Sequence, residues 1–187
     1  TLGFAAGWSL ANAGDVNGDS VTDLVVGCPN TILGAGTVRI LSMADGSVIF
    51  TASGEANGHQ FGAWVDGGRD INGDTVPDVL SGAPSFDVGS AFDNRGKAYV
   101  ISGASGTVLL TATGQNQFDQ AGSAVAWVGD LNADGRSEFA MGAVGFTSMT
   151  GRVTVHSGLD ASILWTKDGE GTGHRFGSAL APAGDRN

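Results

Sequence analysis

The amino-acid sequence predicts an all-β protein made of repeated, four-stranded antiparallel sheets. Three observations support this fold class: an internal repeat of 55 to 60 residues, four short β-type runs in each repeat, and one acidic loop at the same place in each repeat. Glycine is abundant, at 32 of 187 residues, and it separates the short runs instead of falling at every third position as in collagen. This distribution is typical of an all-β chain with many tight turns.

The repeat is anchored by four aspartates, Asp15, Asp70, Asp130 and Asp185, which are spaced by 55, 60 and 55 residues. Glycines recur eight residues before each anchor and twelve residues after the first three, at Gly7, Gly62, Gly122 and Gly177 and at Gly27, Gly82 and Gly142. The second repeat has five extra residues within Ser85 to Asn94, so this stretch is predicted to be a loop. The repeats are predicted at roughly 3–58, 59–118 and 119–173, with a truncated fourth at 174–187.

Each repeat contains four predicted strands, which is the content of one β-propeller blade. The first strand leads into the acidic loop, the second leaves it, and the third and fourth form a hairpin. The predicted strands are Trp8 to Ala13, Asp23 to Val26, Thr37 to Leu41 and Ser47 to Ala52; Ala63 to Gly67, Asp78 to Leu80, Lys97 to Ile101 and Thr107 to Ala112; and Ser123 to Val128, Glu138 to Met141, Arg152 to His156 and Ser162 to Thr166. Together with Phe176 to Ala183, they predict about three full blades plus the first strand of a fourth.

The three acidic loops carry oxygen-bearing side chains at loop positions 1, 3, 5 and 9, and the main-chain carbonyl at position 7 can add another oxygen. Calcium prefers about six to eight hard oxygen ligands of this kind. The predicted ligands are Asp15, Asn17, Asp19, Val21 and Asp23; Asp70, Asn72, Asp74, Val76 and Asp78; and Asp130, Asn132, Asp134, Arg136 and Glu138. An EF-hand is excluded because its loop needs glutamate at position 12, where this chain has Val26, Ser81 and Met141. Turns without a metal are the alternative, but three loops in phase with the repeat favour about three structural Ca²⁺ ions.

Short glycine motifs flank these loops and carry a family resemblance. They are Phe61-Gly62 and Phe176-Gly177 before the loops, and Gly27-Cys28-Pro29 and Gly82-Ala83-Pro84 after them. In this arrangement the chain resembles the FG-GAP repeats of integrin α-subunits and their bacterial relatives. The resemblance implies a seven-bladed propeller with calcium loops on one face, and ligand recognition by loops on a face or rim. The third repeat departs from the pattern at Ala121, Val144 and Glu138, so its metal site is expected to be the weakest.

The net charge and the residue pattern argue against nucleic-acid binding, membrane insertion and catalysis. The net charge of −10 is expected to repel nucleic acid and anionic lipid, and the apolar runs are too short to insert into a membrane. His59, His156 and His174 are interpreted as structural residues, and no catalytic residue is predicted, so the chain is not expected to be an enzyme. Trp8, Trp64 and Trp127 are interpreted as packing between blades.

The resulting hypothesis is a calcium-binding adhesion or ligand-binding module that is secreted or on the cell surface. Its ligand would be an unknown protein or glycan, and the loop from Ser85 to Asn94 is the predicted contact because it interrupts the repeat. One alternative is a structural unit that completes a ring or fibre between chains. Another is a non-catalytic propeller domain of a larger secreted enzyme. The uncovered ends of three blades predict either a homo-oligomer or contact with further blades of a parent chain.

Overall fold

A computed structural model describes residues 7–29, 34–89 and 92–183, which form three four-stranded antiparallel sheets, here called blades 1 to 3. Blade 1 contains β1 (Ser9–Gly14), β2 (Asp23–Cys28), β3 (Thr37–Leu41) and β4 (Val48–Ser53). Blade 2 contains β5 (Trp64–Arg69), β6 (Asp78–Ala83), β7 (Lys97–Ile101) and β8 (Val108–Thr113). Blade 3 contains β9 (Ala121–Gly129), β10 (Glu138–Ala143), β11 (Arg152–His156) and β12 (Ile163–Asp168). The predicted all-β fold class is confirmed.

Each blade is a meander in which strands adjacent in sequence are also adjacent in the sheet. In blade 1 the cross-strand row runs from Ala11 through Val25 and Ile40 to Phe50. The register shifts near the end of the first strand of every blade, just before the acidic loop. Such an irregularity bends the strand and increases its twist, so the three acidic loops leave their blades in the same way.

The apolar core lies between successive blades. Val25 and Ile40 of blade 1 share one cluster with Val65, Tyr99 and Ile101 of blade 2. The next cluster joins blades 2 and 3, and its members include Leu80, Val100, Val125, Trp127 and Phe139. Each fully buried side chain of this size stabilises the fold by about 1.5–3 kcal/mol. The blades therefore depend on one another for stability.

The repeated glycines lie where the backbones of successive blades touch. A methyl group added to Gly82 would lie 2.0 Å from the carbonyl oxygen of Gly122 in the next blade. The same contact recurs between Gly27 and Gly62, at 2.1 Å. Gly62 also has a φ of +88°, a conformation that favours glycine. The two glycine motifs thus form a single inter-blade contact, and this contact explains why both repeat in phase.

Two predictions about the blades are revised by the structure. Phe176 to Ala183 is not a strand, because Phe176 makes only an isolated bridge to Gly151 and the described residues contain no second strand to pair with it. Trp8 is 71% exposed and is not buried between blades; it lines an open pocket together with Trp64 of blade 2. Trp127 is buried in the inter-blade core and Trp64 packs against it, as expected.

The connections between second and third strands differ among blades. The predicted loop from Ser85 to Asn94 contains no strand or helix in its described part, and its residues 90–91 lie outside the described ranges. In blade 3 the corresponding connection contains a four-residue helix, α1 (Phe146–Met149), with left-handed backbone angles at Thr147 and Ser148. The sequence did not predict this helix. Asp185, the fourth repeat anchor, also lies outside the described residues.

Candidate metal centre

The acidic loops connect the first and second strands of each blade, and neighbouring loops are in contact. Pro77, at the end of the second loop, lies so close to Gly14 that a methyl group on that glycine would be 2.7 Å from the proline ring. Arg136 of the third loop reaches the main chain of the second at Ile71. The predicted metal ligands therefore lie on one end of the assembly, in three adjacent loops.

Each loop is folded by its own side chains. In the first loop, the Asp15 carboxylate accepts hydrogen bonds from the backbone N–H groups of Gly18 (2.7 Å) and Ser20 (2.8 Å). Asn17 accepts from the N–H of Asp19 at 2.9 Å, and Asp19 accepts from the N–H of Val21 at 2.7 Å. The corresponding bonds recur in the second and third loops. The side-chain oxygens at positions 1, 3 and 5 thus wrap around one turn in every repeat.

The acid at position 9 is buried in all three loops. Asp23 and Asp78 each accept a hydrogen bond from the N–H at position 2, at 2.8 and 2.9 Å. The second oxygen of Asp78 accepts from the N–H of Gly103 at 3.1 Å, in the turn that follows the third strand. Burial raises the pKa of Asp78 above its usual value, and the nearby carboxylates of Asp74 and Asp70 add to this shift, while the two N–H donors oppose it.

The third loop differs because its position 9 is Glu138, whose side chain is longer by one methylene group. Its Oε2 accepts from the N–H of Leu131 at 2.5 Å, while its Oε1 is buried and has no hydrogen-bond partner. Carboxylate oxygens of Asp130, Asp134 and Glu138 lie within 4.8 Å of one another. This is the one group of three potential metal-ligating acids so close together in the described part of the chain. A buried carboxylate that has one unpaired oxygen and lies close to two other carboxylates is suited to a hard cation.

The third loop was expected to be the weakest metal site. That expectation could not take into account where the Glu138 carboxylate lies in the folded loop. The longer Glu138 side chain directs an oxygen toward the acids of its own loop, whereas the Asp78 carboxylate also bonds to a neighbouring turn. The position-7 carbonyls of Val21, Val76 and Arg136 remain predicted ligands. The relative affinities of the three loops are likewise still a prediction.

Comparison with known proteins identifies the family of the repeats. The model of the FG-GAP repeat family matches residues 6–41 and 61–101, which hold the first two acidic loops and their flanking glycine motifs. The chain carries FG-GAP repeats of the integrin α-subunit type. It is 33% identical to integrin alpha-8 of Mus musculus over 187 residues, covering 95% of this chain and 17% of that protein.

Two further relatives give the same result. The identity is 33% to integrin alpha-5 of Xenopus laevis, over 84% of this chain and 15% of the relative. It is 35% to integrin alpha-8 of Homo sapiens, over 81% of this chain and 15% of the relative. The chain thus spans less than a fifth of the length of these integrin subunits. The β-propeller interpretation of the three blades follows from the repeats and the sheet topology together.

The end of the blades opposite the acidic loops carries a concave surface, lined by residues 116–120 and 145–149. It encloses a volume of about 800 Å³. Phe118 is 57% exposed there, and Phe92, in the loop that interrupts the repeat, is 80% exposed. The two segments are joined because the N–H of Phe118 donates to the carbonyl of Asp93 at 2.8 Å. Both phenylalanines have left-handed φ values, +64° and +66°, which strain a bulky residue. The sequence predicts the loop from Ser85 to Asn94, but it gives no signal for the concave surface beside that loop.

Two of the histidines, His156 and His59, pack against aromatic rings. His156 stacks on Phe139, with ring centroids 5.2 Å apart, and its Nδ1–H donates to the carbonyl of Ala161 at 2.9 Å. Its Nε2 therefore accepts the hydroxyl hydrogen of Thr154, at 2.8 Å. Burial lowers the pKa of His156, so the neutral form is favoured. His59 contacts the ring of Phe86 edge-on at 4.9 Å.

Proposed function

We propose that this chain is part of a calcium-stabilised propeller that binds an extracellular ligand, as an adhesion or recognition module without catalysis. The observation that supports it most is the third loop, where carboxylate oxygens of Asp130, Asp134 and buried Glu138 lie within 4.8 Å of one another and Glu138 keeps one oxygen without a hydrogen-bond partner. The other two loops share the same hydrogen-bonded turn. About three Ca²⁺ sites, one per complete repeat, follow from this shared geometry.

Calcium suits these loops on electrostatic grounds. Nine of the nineteen acidic residues lie in the three loops, so carboxylates repel one another there unless a cation is bound. Calcium affinities of extracellular modules are typically on the order of 10⁻⁴–10⁻³ M. Such sites fill only where calcium is abundant, which is consistent with a secreted or cell-surface location. Among the described residues, no helix has the length and apolar character that crossing a bilayer requires.

Ligand recognition is proposed for the end of the blades opposite the acidic loops. In an antiparallel meander, alternate connections lie at opposite ends, so the loops after β6 and β10 face away from the acidic loops. That end carries the concave surface with exposed Phe118, and exposed Phe92 lies in the adjoining loop. Exposed aromatic rings on loops supported by a rigid sheet are typical of protein and glycan contacts. The similarity to integrin α-subunits supports a recognition role over an enzymatic one.

A second candidate function is assembly between chains, and exposed apolar side chains on the outer blades favour it. Leu10 of blade 1 is 57% exposed, and Trp165 of blade 3 is 53% exposed. The positions equivalent to Leu10 in the next blades, Val65 and Val125, are buried between blades. The outer faces therefore suit contact with a further blade, either of a parent chain or of a second copy.

The calcium proposal is tested by thermal unfolding in CaCl₂ and in chelator. At about 10 mM calcium, a site of the expected affinity stabilises the fold by about 1.4–2.7 kcal/mol. Glu138→Gln is expected to reduce the calcium-dependent rise in Tm, because it removes the buried charge of the third loop. Glu170→Gln is the matched control, since Glu170 is exposed and lies outside the loops. An identical Tm in CaCl₂ and chelator would contradict the proposal.

A further inference from the structure

The side chain of Arg136 links two acidic loops that belong to different blades. Its backbone lies in the third loop, where its N–H donates to the carboxylate of Asp134 at 2.9 Å. Its guanidinium Nη1 donates to the carbonyl oxygen of Ile71, in the second loop, at 2.5 Å. A single residue therefore contributes to the structure of both loops.

Ile71 is held on both sides. Its N–H donates to the carboxylate of Asp78 at 2.9 Å, and its carbonyl accepts from Arg136. The side chain is 3% exposed in the core between blades 2 and 3. Asp70 and Asn72, the proposed ligands at positions 1 and 3, flank Ile71 directly. Fixing this residue therefore fixes the backbone that carries two ligands and the hydrogen bond that orients a third.

At the corresponding positions the preceding pair of loops has valines, which cannot form such a polar link. The residues at the corresponding positions are Val76 in the second loop and Val16 in the first, and both belong to the apolar core between blades 1 and 2. An apolar contact has no preferred direction, whereas a guanidinium hydrogen bond fixes the orientation of the carbonyl. Of the described residues at this position in the first and second loops, only Ile71 thus has a backbone carbonyl whose direction is fixed by a hydrogen bond from the following blade.

We propose that Arg136 is a positioning residue for the second calcium loop, supplied by the third loop. The proposal rests on the calcium function proposed above. Two effects of the arginine oppose each other, because its positive charge repels a bound cation while its hydrogen bond orders the ligands. A hydrogen bond from a charged donor is among the stronger ones in proteins, whereas the repulsion is weakened by salt and solvent because Arg136 is only half-buried. The ordering effect is therefore the larger one.

The test isolates the second loop. Asp19→Asn and Asp134→Asn remove the position-5 carboxylates of the first and third loops, and calcium binding to the remaining loop is measured by isothermal titration calorimetry with CaCl₂. In this background, Arg136→Met is expected to weaken the calcium affinity about tenfold. Arg69→Met is the matched control, because Arg69 is exposed, precedes Asp70 and has the same charge. Removing it is expected to leave the affinity unchanged or to raise it.

The outcomes separate this inference from the calcium proposal. If the double variant with Arg136 intact binds no calcium, the calcium function of the second loop is wrong. If it binds calcium and the two arginine variants have the same affinity, the positioning role is overturned. The role is also overturned if Arg136→Met lowers the Tm in chelator but leaves the calcium affinity unchanged, because that result describes a simple tie between blades.

Discussion

The inter-blade glycine contact makes a strong prediction about stability, and Gly82→Ala tests it. The added methyl carbon would lie 2.0 Å from the carbonyl oxygen of Gly122, whereas ordinary contacts begin at 3.4 Å. The shortfall of 1.4 Å, from 3.4 minus 2.0, cannot be relieved by a side-chain rotation, because an alanine methyl has no rotamer and the atoms it meets belong to the Gly122 backbone. Blades 2 and 3 would have to separate.

The loss of stability can be estimated from the apolar core that would be disrupted if blades 2 and 3 moved apart. Leu80 and Val100 of blade 2 and Val125 of blade 3 are fully buried in this interface. A gap of about 0.5–1 Å already removes a quarter to a half of the dispersion energy of such contacts. Overpacking typically costs about 1–3 kcal/mol, and a backbone clash belongs at the upper end or beyond. The variant should lose about 3 kcal/mol, which corresponds to a Tm about 6–12 °C lower.

The assay is urea unfolding followed by tryptophan fluorescence at saturating calcium, with the free energy of unfolding obtained by linear extrapolation. Gly46→Ala is the control, because Gly46 has a φ of +76° but no atom within 4 Å of the added methyl group. It should cost only about 1 kcal/mol, for the left-handed backbone of an alanine. If Gly82→Ala is no more destabilising than Gly46→Ala, the role assigned to the glycine contact is wrong.

Two further predictions concern the core of blade 3. Phe139→Ala should destabilise the fold by about 3–5 kcal/mol in urea unfolding, because Phe139 is fully buried and contacts Trp127 edge-on at 6.2 Å. Phe139→Leu should cost clearly less, and equal costs would contradict the packing argument. His156 has a lowered pKa in the folded chain, so it gains its proton at a lower pH there than in the unfolded chain, where the pKa is about 6.5. Its contribution to stability should be complete above that pH and decline as the pH falls below it, and urea unfolding of His156→Gln between pH 7.5 and 5 should show a weaker decline.

The sequence determined the repeat and the strands closely. Thr37–Leu41, Lys97–Ile101 and Arg152–His156 were predicted with the bounds that the structure has. This success has a local cause, because glycine turns and alternating apolar residues specify a strand over five or six residues. The acidic loops were identified for the same reason, since their ligand pattern lies within nine consecutive residues. The strand predicted at Phe176 to Ala183 did not form, because a strand needs a partner as well as a suitable local sequence.

Tertiary structure alone decided which of these local features meet. Arg136 and Ile71 are 65 residues apart in sequence, and no spacing rule predicts that one hydrogen-bonds to the other. Trp127 is buried and Trp8 is exposed, a difference that the packing of the blades decides and the repeat pattern does not predict. The burial of Glu138, with one oxygen left without a hydrogen-bond partner, is also a result of packing that the sequence does not reveal. A repeat sequence specifies each blade through short-range periodicity, but the contacts between blades form across separations at which periodicity carries no information.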